Sequence, residues 1–165
     1  MSIFLRDYYG NARLSAAQII KDPVLFLAFG FGSGLSKKMP GTMGTLAAVP
    51  IYLLLIQGPA WVYVAVTIIV ILAGISICDK AAQKLRVHDY GGIVWDEIAG
   101  FLITLCWLPF SWQSLLAGFA LFRFFDIVKP WPIKWLDRHV EGGFGIMLDD
   151  VVAALFAAAI MRIWF

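Results

Sequence analysis

GGIVWDEIAGFLITLCWLPF, residues 91–110, decides how the rest of the chain is read. The stretch is apolar over the length of a membrane-crossing segment. Yet Asp96 and Glu97 stand side by side within its first turns. An acid at mid-bilayer costs roughly 2.5–3.5 kcal/mol on insertion scales, and less toward the interface. Two acids there need both a shallow depth and a purpose.

The composition around this stretch is that of an integral membrane protein. Of 165 residues, 61% are hydrophobic and only 15% charged, with a mean hydropathy of +0.83. Soluble domains run nearer 45–50% apolar and about 25% charged. The N-terminal MSIFLRDYYGNARLSAAQIIKD has no continuous apolar core and no clear cleavage site, so it is expected to stay uncleaved. Cys78 and Cys106 both fall in apolar segments and lack C-x-x-C spacing, which argues against a zinc site or a disulfide framework.

Apolar segments of bilayer scale run over approximately 43–57, 60–79, 93–110, 112–128 and 146–165. PVLFLAFGFGSGL, residues 23–35, is too short and glycine-rich to span. The expectation is an all-α fold: a polytopic helical membrane bundle of about five apolar segments, with an N-terminal interfacial or re-entrant stretch. It forms a single domain over residues 1–165. Gln57-Gly58-Pro59 and Pro109-Phe110-Ser111 are uncharged tight turns. Of the 13 Lys and Arg residues, 12 gather on the other side: Arg6, Arg13, Lys21, Lys37, Lys38, Lys80, Lys84, Arg86, Arg123, Lys129, Lys134 and Arg138. By the positive-inside rule that side is cytoplasmic.

In this topology Asp79, Asp96, Glu97, Asp126, Asp149 and Asp150 all fall at the cytoplasmic ends of their segments. Asp96 lies only about 6 Å along a helix from Gly92, so the acids sit at headgroup depth. Converging carboxylates repel and desolvate one another, and oxygen ligands of this kind suit Mg²⁺. Arg123, Asp126 and Lys129 follow i, i+3, i+6 along one helix side. GFGSGLSKKMPGTMGT, residues 30–45, offers glycines, hydroxyls and two lysines before a segment, a composition that can present backbone N–H groups to an anion. GGFGIMLDD, 142–150, similarly opens a helix that carries two acids. Trp95, Trp107, Trp112, Trp131, Trp135 and Trp164 near segment ends fit interfacial aromatic belts. Cations beside anions at one membrane face point to phosphate chemistry. A cation- or proton-coupled transporter is the alternative, although such sites usually lie near the midplane in an inverted repeat, and no repeat is evident. The thiol-phosphatase pattern C-x₅-R is absent, since Lys84 follows Cys78 and Trp112 follows Cys106 at that spacing.

GFGSGLSKKMPGTMGTLAA, VHDYGGIVWDEIAG, FRFFDIVKPWPIKWLD and GGFGIMLDDVVAA, in this order and spacing, resemble the motifs of the phosphatidylglycerophosphatase A family. The likeness runs from about Leu25 to the last segment. It implies a Mg²⁺-dependent lipid phosphatase of the bacterial inner membrane that converts phosphatidylglycerophosphate to phosphatidylglycerol and phosphate at the cytoplasmic face. Carried over by position, it implicates His88, Asp89, Asp96, Glu97 and Asp126 in catalysis, and Asp96, Glu97, Asp126, Asp149 and Asp150 in metal binding. Ser33, Lys37, Lys38, Thr42, Arg123 and Lys129 are the expected substrate contacts, with His88 the better placed of the two histidines for proton transfer. Lys37 stands where the family often has proline, and Ala154 where glycine often follows the acid pair. The expected partners are the lipid substrate and the bilayer; no nucleic-acid partner is expected, and no oligomeric state is implied.

Overall fold

The computed structural model describes residues 15–87 and 90–165. The order is α1 (Ala16–Lys21), α2 (Pro23–Ala28), a 3-10 segment (Gly30–Leu35), α3 (Pro40–Leu55), α4 (Ala60–Leu85), α5 (Trp95–Thr104), α6 (Trp112–Val128), α7 (Ile133–His139) and α8 (Gly142–Trp164). Among the described residues the fold is all-helical, with no strand.

Local chemistry explains where the helices start and stop. The apolar segment expected over 112–128 coincides with α6. Ser111 accepts a hydrogen bond from the Ser114 N–H at 2.9 Å, and the Ser114 hydroxyl accepts one from the Ser111 N–H at 3.0 Å, closing the N-terminus. At the other end Lys129 adopts a left-handed conformation with φ 44, and Pro130 cannot continue the helix. α5 differs from its expected extent of 93–110. The Val94 N–H is drawn away to the Ala28 carbonyl at 2.8 Å, so the helix begins at Trp95. After Thr104 the chain turns out, with Trp107 at φ 60, and Pro109 then disfavours helix at Leu108. Ten residues make about 15 Å of helix, half of a hydrocarbon core.

Two helices are long and apolar enough to cross a membrane: α4, with 26 residues and a mean hydropathy of 2.5 over its most apolar 18, and α8, with 23 residues and 2.0 over its most apolar 18. α3 is apolar but stops at 16 residues. The 23–35 stretch folds as α2 and the 3-10 segment, bent at Phe31 (φ 58), with α2 laid against α4. Asp22 caps α2, accepting from the Val24 N–H at 3.0 Å and the Leu25 N–H at 3.2 Å. It also pairs with Lys84 of α4. That hydrogen bond from Lys84 is the main reason the Asp22 carboxyl lies below its ordinary pKa. α7, within a region read as loop, is a short amphipathic helix anchored by Ile133.

α8 is the hub, packing against α4, α5, α6 and α7. Its buried face includes Gly143, Gly145, Ala153, Ala154, Ala157 and Ala158, small residues that let neighbouring backbones approach. At Gly143 the approach is so close that a Cβ would lie 2.0 Å from the Ile75 carbonyl oxygen of α4. The Gly143 N–H donates to Asp79 Oδ1 at 3.2 Å, so α4 supplies a cap for the start of α8. Large apolar side chains face outward, with Leu72 61% exposed, Leu116 68% and Ile163 80%. Acids turn inward.

Candidate active site

α5 positions the two acids of the opening stretch. Its first turn carries Asp96 and Glu97, where the positive end of the helix dipole favours anions. Trp95 fixes the rotation of that turn by donating its indole N–H to the Val70 carbonyl of α4 at 3.0 Å. The N-terminus of α3 closes over Glu97. A Cβ on Gly41 would fall 2.3 Å from Glu97 Oε1 and 2.9 Å from Arg123 Nη2, so only glycine fits there without displacing the acid. α6 contributes Arg123, whose Nη1 lies 2.5 Å from Asp126 Oδ2 and 3.7 Å from Glu97 Oε1. α8 contributes Asp149 and Asp150, both buried.

Asp96, Glu97 and Asp150 each offer a carboxylate oxygen, and these three atoms lie within 4.8 Å of one another. Glu97 Oε2 and Asp150 Oδ2 are buried without a hydrogen-bond partner. Buried acidic oxygens left this way are strongly unfavourable unless a cation or a proton answers them. The donor set is all oxygen, anionic and drawn from two helices, a composition that fits a hard divalent cation.

These acids open into a polar cleft of about 120 Å³ that also exposes Asp126, Lys129, Asp137 and Asp149. Lys129 Nζ stands 2.5 Å from Asp137 Oδ1 and 2.5 Å from Asp149 Oδ2. Burial alone would lower the pKa of this ammonium, but Asp149 and Asp137 outweigh it and hold the value above the ordinary lysine range.

Asp96, Glu97, Asp126, Asp149, Asp150 and Lys129 therefore meet at one cleft, with Arg123 tied to its edge. Ser33, Lys37, Lys38 and Thr42 are not among its lining residues. The Ser33 hydroxyl turns back to the Phe29 carbonyl at 3.5 Å, and Lys37 and Lys38 are exposed. Lys129 is engaged by two carboxylates instead of standing free for an incoming anion. His88 and Asp89 lie outside the described residues. Asp137 is the cleft residue that sequence reasoning missed. Its signals were its place at the end of the FRFFDIVKPWPIKWLD motif and the short apolar spacing of Ile133, Leu136 and Val140.

Residues 26–165 match the family described as Phosphatidylglycerophosphatase A. A Phosphatidylglycerophosphatase A of Escherichia coli is 49% identical over 143 residues, covering 86% of this chain and 83% of the relative. One from Haemophilus influenzae is 47% identical over 143 residues, covering 85% and 87%. A Bacteroides thetaiotaomicron protein provisionally named as a phosphatidylinositol-3-phosphatase is 35% identical over 149 residues, covering 86% and 92%. No solved structure matches the chain.

Proposed function

The chain belongs to the phosphatidylglycerophosphatase A family, and from that premise we propose a Mg²⁺-dependent hydrolysis of phosphatidylglycerophosphate at the cytoplasmic face of the membrane. It is a phosphatase that hydrolyses a phosphate monoester. The observation that carries the finer reading is the polar cleft itself: carboxylates from α5 and α8 converge inside a bundle whose outer surface is apolar. Phosphatidylglycerophosphate keeps its acyl chains in the bilayer and offers its phosphomonoester at headgroup depth.

In this reading α3, α4, α5, α6 and α8, which overlap the five expected apolar segments, sit in the bilayer, and the basic loops beside the cleft set its cytoplasmic orientation. Asp96, Glu97 and Asp150 would hold Mg²⁺, with Asp126 and Asp149 beside them. When bound, Mg²⁺ supplies charge neutralisation and Lewis-acid polarisation at the phosphoryl oxygens. Arg123 stays paired with Asp126 at the cleft edge, and its remaining guanidinium N–H groups would meet the phosphate oxygens. A water attacks phosphorus while a cleft carboxylate accepts its proton. The bond from phosphorus to the glycerol oxygen breaks, and that oxygen takes a proton from a general acid, His88 or a carboxylic acid. Phosphatidylglycerol and inorganic phosphate leave.

The test is phosphate release by purified protein from a panel of phosphatidylglycerophosphate, phosphatidylinositol-3-phosphate and phosphatidic acid, with Mg²⁺ and with chelator. Release from the first alone, abolished by chelation, is expected. Preference for the inositol lipid would move the chain toward the Bacteroides relative's named activity. Chelator-insensitive turnover would overturn the Mg²⁺ assignment.

A further inference from the structure

We propose that Asp137 is a positioning residue of the phosphatase site: its carboxylate braces the Lys129 ammonium against Asp149 and thereby sets where the α8 acids stand. The inference rests on the cleft being the phosphatase site, and it concerns the last residue of the FRFFDIVKPWPIKWLD motif, which the sequence analysis gave no role.

The geometry begins at the end of α6. Lys129 leaves the helix at φ 44, which turns its side chain out of the helical row followed by Arg123 and Asp126. Pro130 and Pro132 then stiffen the route to α7, and fully buried Ile133 anchors that helix. α7 packs on α8. The arrangement brings Asp137 and Asp149, twelve residues apart in sequence, to 2.5 Å from one ammonium. All three residues line the cleft. Side-chain exposures of 24%, 31% and 8% for Lys129, Asp137 and Asp149 place the bridge in a sheltered position, where ion pairs are screened less than on an open surface.

Charge counting assigns the roles. One lysine between two carboxylates leaves a net negative charge at the bridge. Without Asp137, Lys129 would close fully on Asp149 and neutralise it, or swing with it. Asp137 shares the ammonium, leaves Asp149 partly anionic, and holds it at a fixed point beside Asp150. Groups that orient the ligands of a metal typically alter affinity or activity by about 10–100-fold when removed.

The experiment uses the purified full chain in detergent, with Mn²⁺ binding read by electron paramagnetic resonance in parallel with kcat and KM. Asp137→Asn is expected to weaken Mn²⁺ binding and lower kcat by about tenfold each, while KM stays within about threefold. Asp137→Glu should restore most of both. In a Lys129→Met background, or Lys129→Gln if that variant folds better, Asp137→Asn should add almost nothing, because its partner is gone. Asp137→Asn protein with unchanged Mn²⁺ affinity and kcat would overturn the proposal, as would a loss that persists undiminished in the Lys129 background. If the Mn²⁺ cycle behaves as expected but no lipid phosphomonoester is cleaved, the positioning role stands and the phosphatase reading fails.

Discussion

Gly143→Ala tests how tightly the site depends on helix packing well away from the acids. A Cβ at this position would meet the Ile75 carbonyl oxygen at 2.0 Å and the Asp79 nitrogen at 2.6 Å. Both are backbone atoms of α4, so no side chain can rotate aside. Ordinary contact begins near 3.4 Å, so the start of α8 must move by 3.4 − 2.0 = 1.4 Å along that line. Alanine gains about 1 kcal/mol over glycine in a helix, whereas overpacking costs about 1–3 kcal/mol. A backbone clash belongs at the upper end, for a net loss of about 2 kcal/mol or a fall of about 4–8 °C in Tm. Asp149 and Asp150 lie six and seven residues further along the same helix and shift with it. Misplacement of about 1 Å can cost about 10²-fold in rate. Thermal unfolding in detergent and phosphate release from phosphatidylglycerophosphate measure the two losses. Gly58→Ala is the control, since its Cβ would meet only the Leu55 carbonyl at an ordinary 3.6 Å. A Gly143→Ala protein with wild-type Tm and turnover would refute the close approach.

Asp126→Asn keeps the side-chain shape but removes the charge that Arg123 meets at 2.5 Å; turnover in the folded, monodisperse fraction should fall by about 10²-fold, and wild-type turnover there would remove Asp126 from the site. Asp22→Asn preserves the cap on α2, because asparagine caps as well as aspartate, but loses the Lys84 ion pair. Since the folded Asp22 pKa is lowered, its stabilisation is complete above the unfolded value of about 3.9 and disappears as pH falls through the folded value. The Tm gap between wild type and Asp22→Asn should therefore be small at pH 7, given the pair's exposure, and should close as the pH is lowered; a gap that widens with acid would contradict the pairing. In a background with Cys78 and Cys106 replaced by alanine, Arg86→Cys and Lys134→Cys should resist an impermeant thiol reagent in intact cells while Gln57→Cys reacts. Labelling of the first two would reverse the orientation.

Helix α6 was legible to the residue, because its ends are written in local chemistry: the Ser111–Ser114 box and the Lys129-Pro130 stop. α5 was not, because a continuous apolar run looks the same whether it is one helix or a ten-residue helix and a turn. Its start depends on the Val94 N–H finding the distant Ala28 carbonyl. That acids from separate helices would gather was legible from the alternation of charged and uncharged turns, and Asp96, Glu97 and Asp150 do meet. The basic residues were less so. Lys129 looked like an anion contact because its two carboxylate partners come from separate elements, one of them α7, which is too short to stand out by periodicity. The 30–45 loop was read as a phosphate cradle from its glycines, yet the structure uses Gly41 to seat the α3 backbone against Glu97.

Asp149 and Asp150 are neighbours in sequence but not in occupation. Successive residues of an α-helix point about 100° apart, and here one turns to Lys129 while the other joins Asp96 and Glu97. The doublet is thus two separate words printed without a space. Inserting or deleting a single residue between Gly143 and Asp149 would rotate each acid into the other's neighbourhood or out of both. The six-residue interval from the α4 crossing to the first acid behaves as a fixed reading frame, whose length cannot drift.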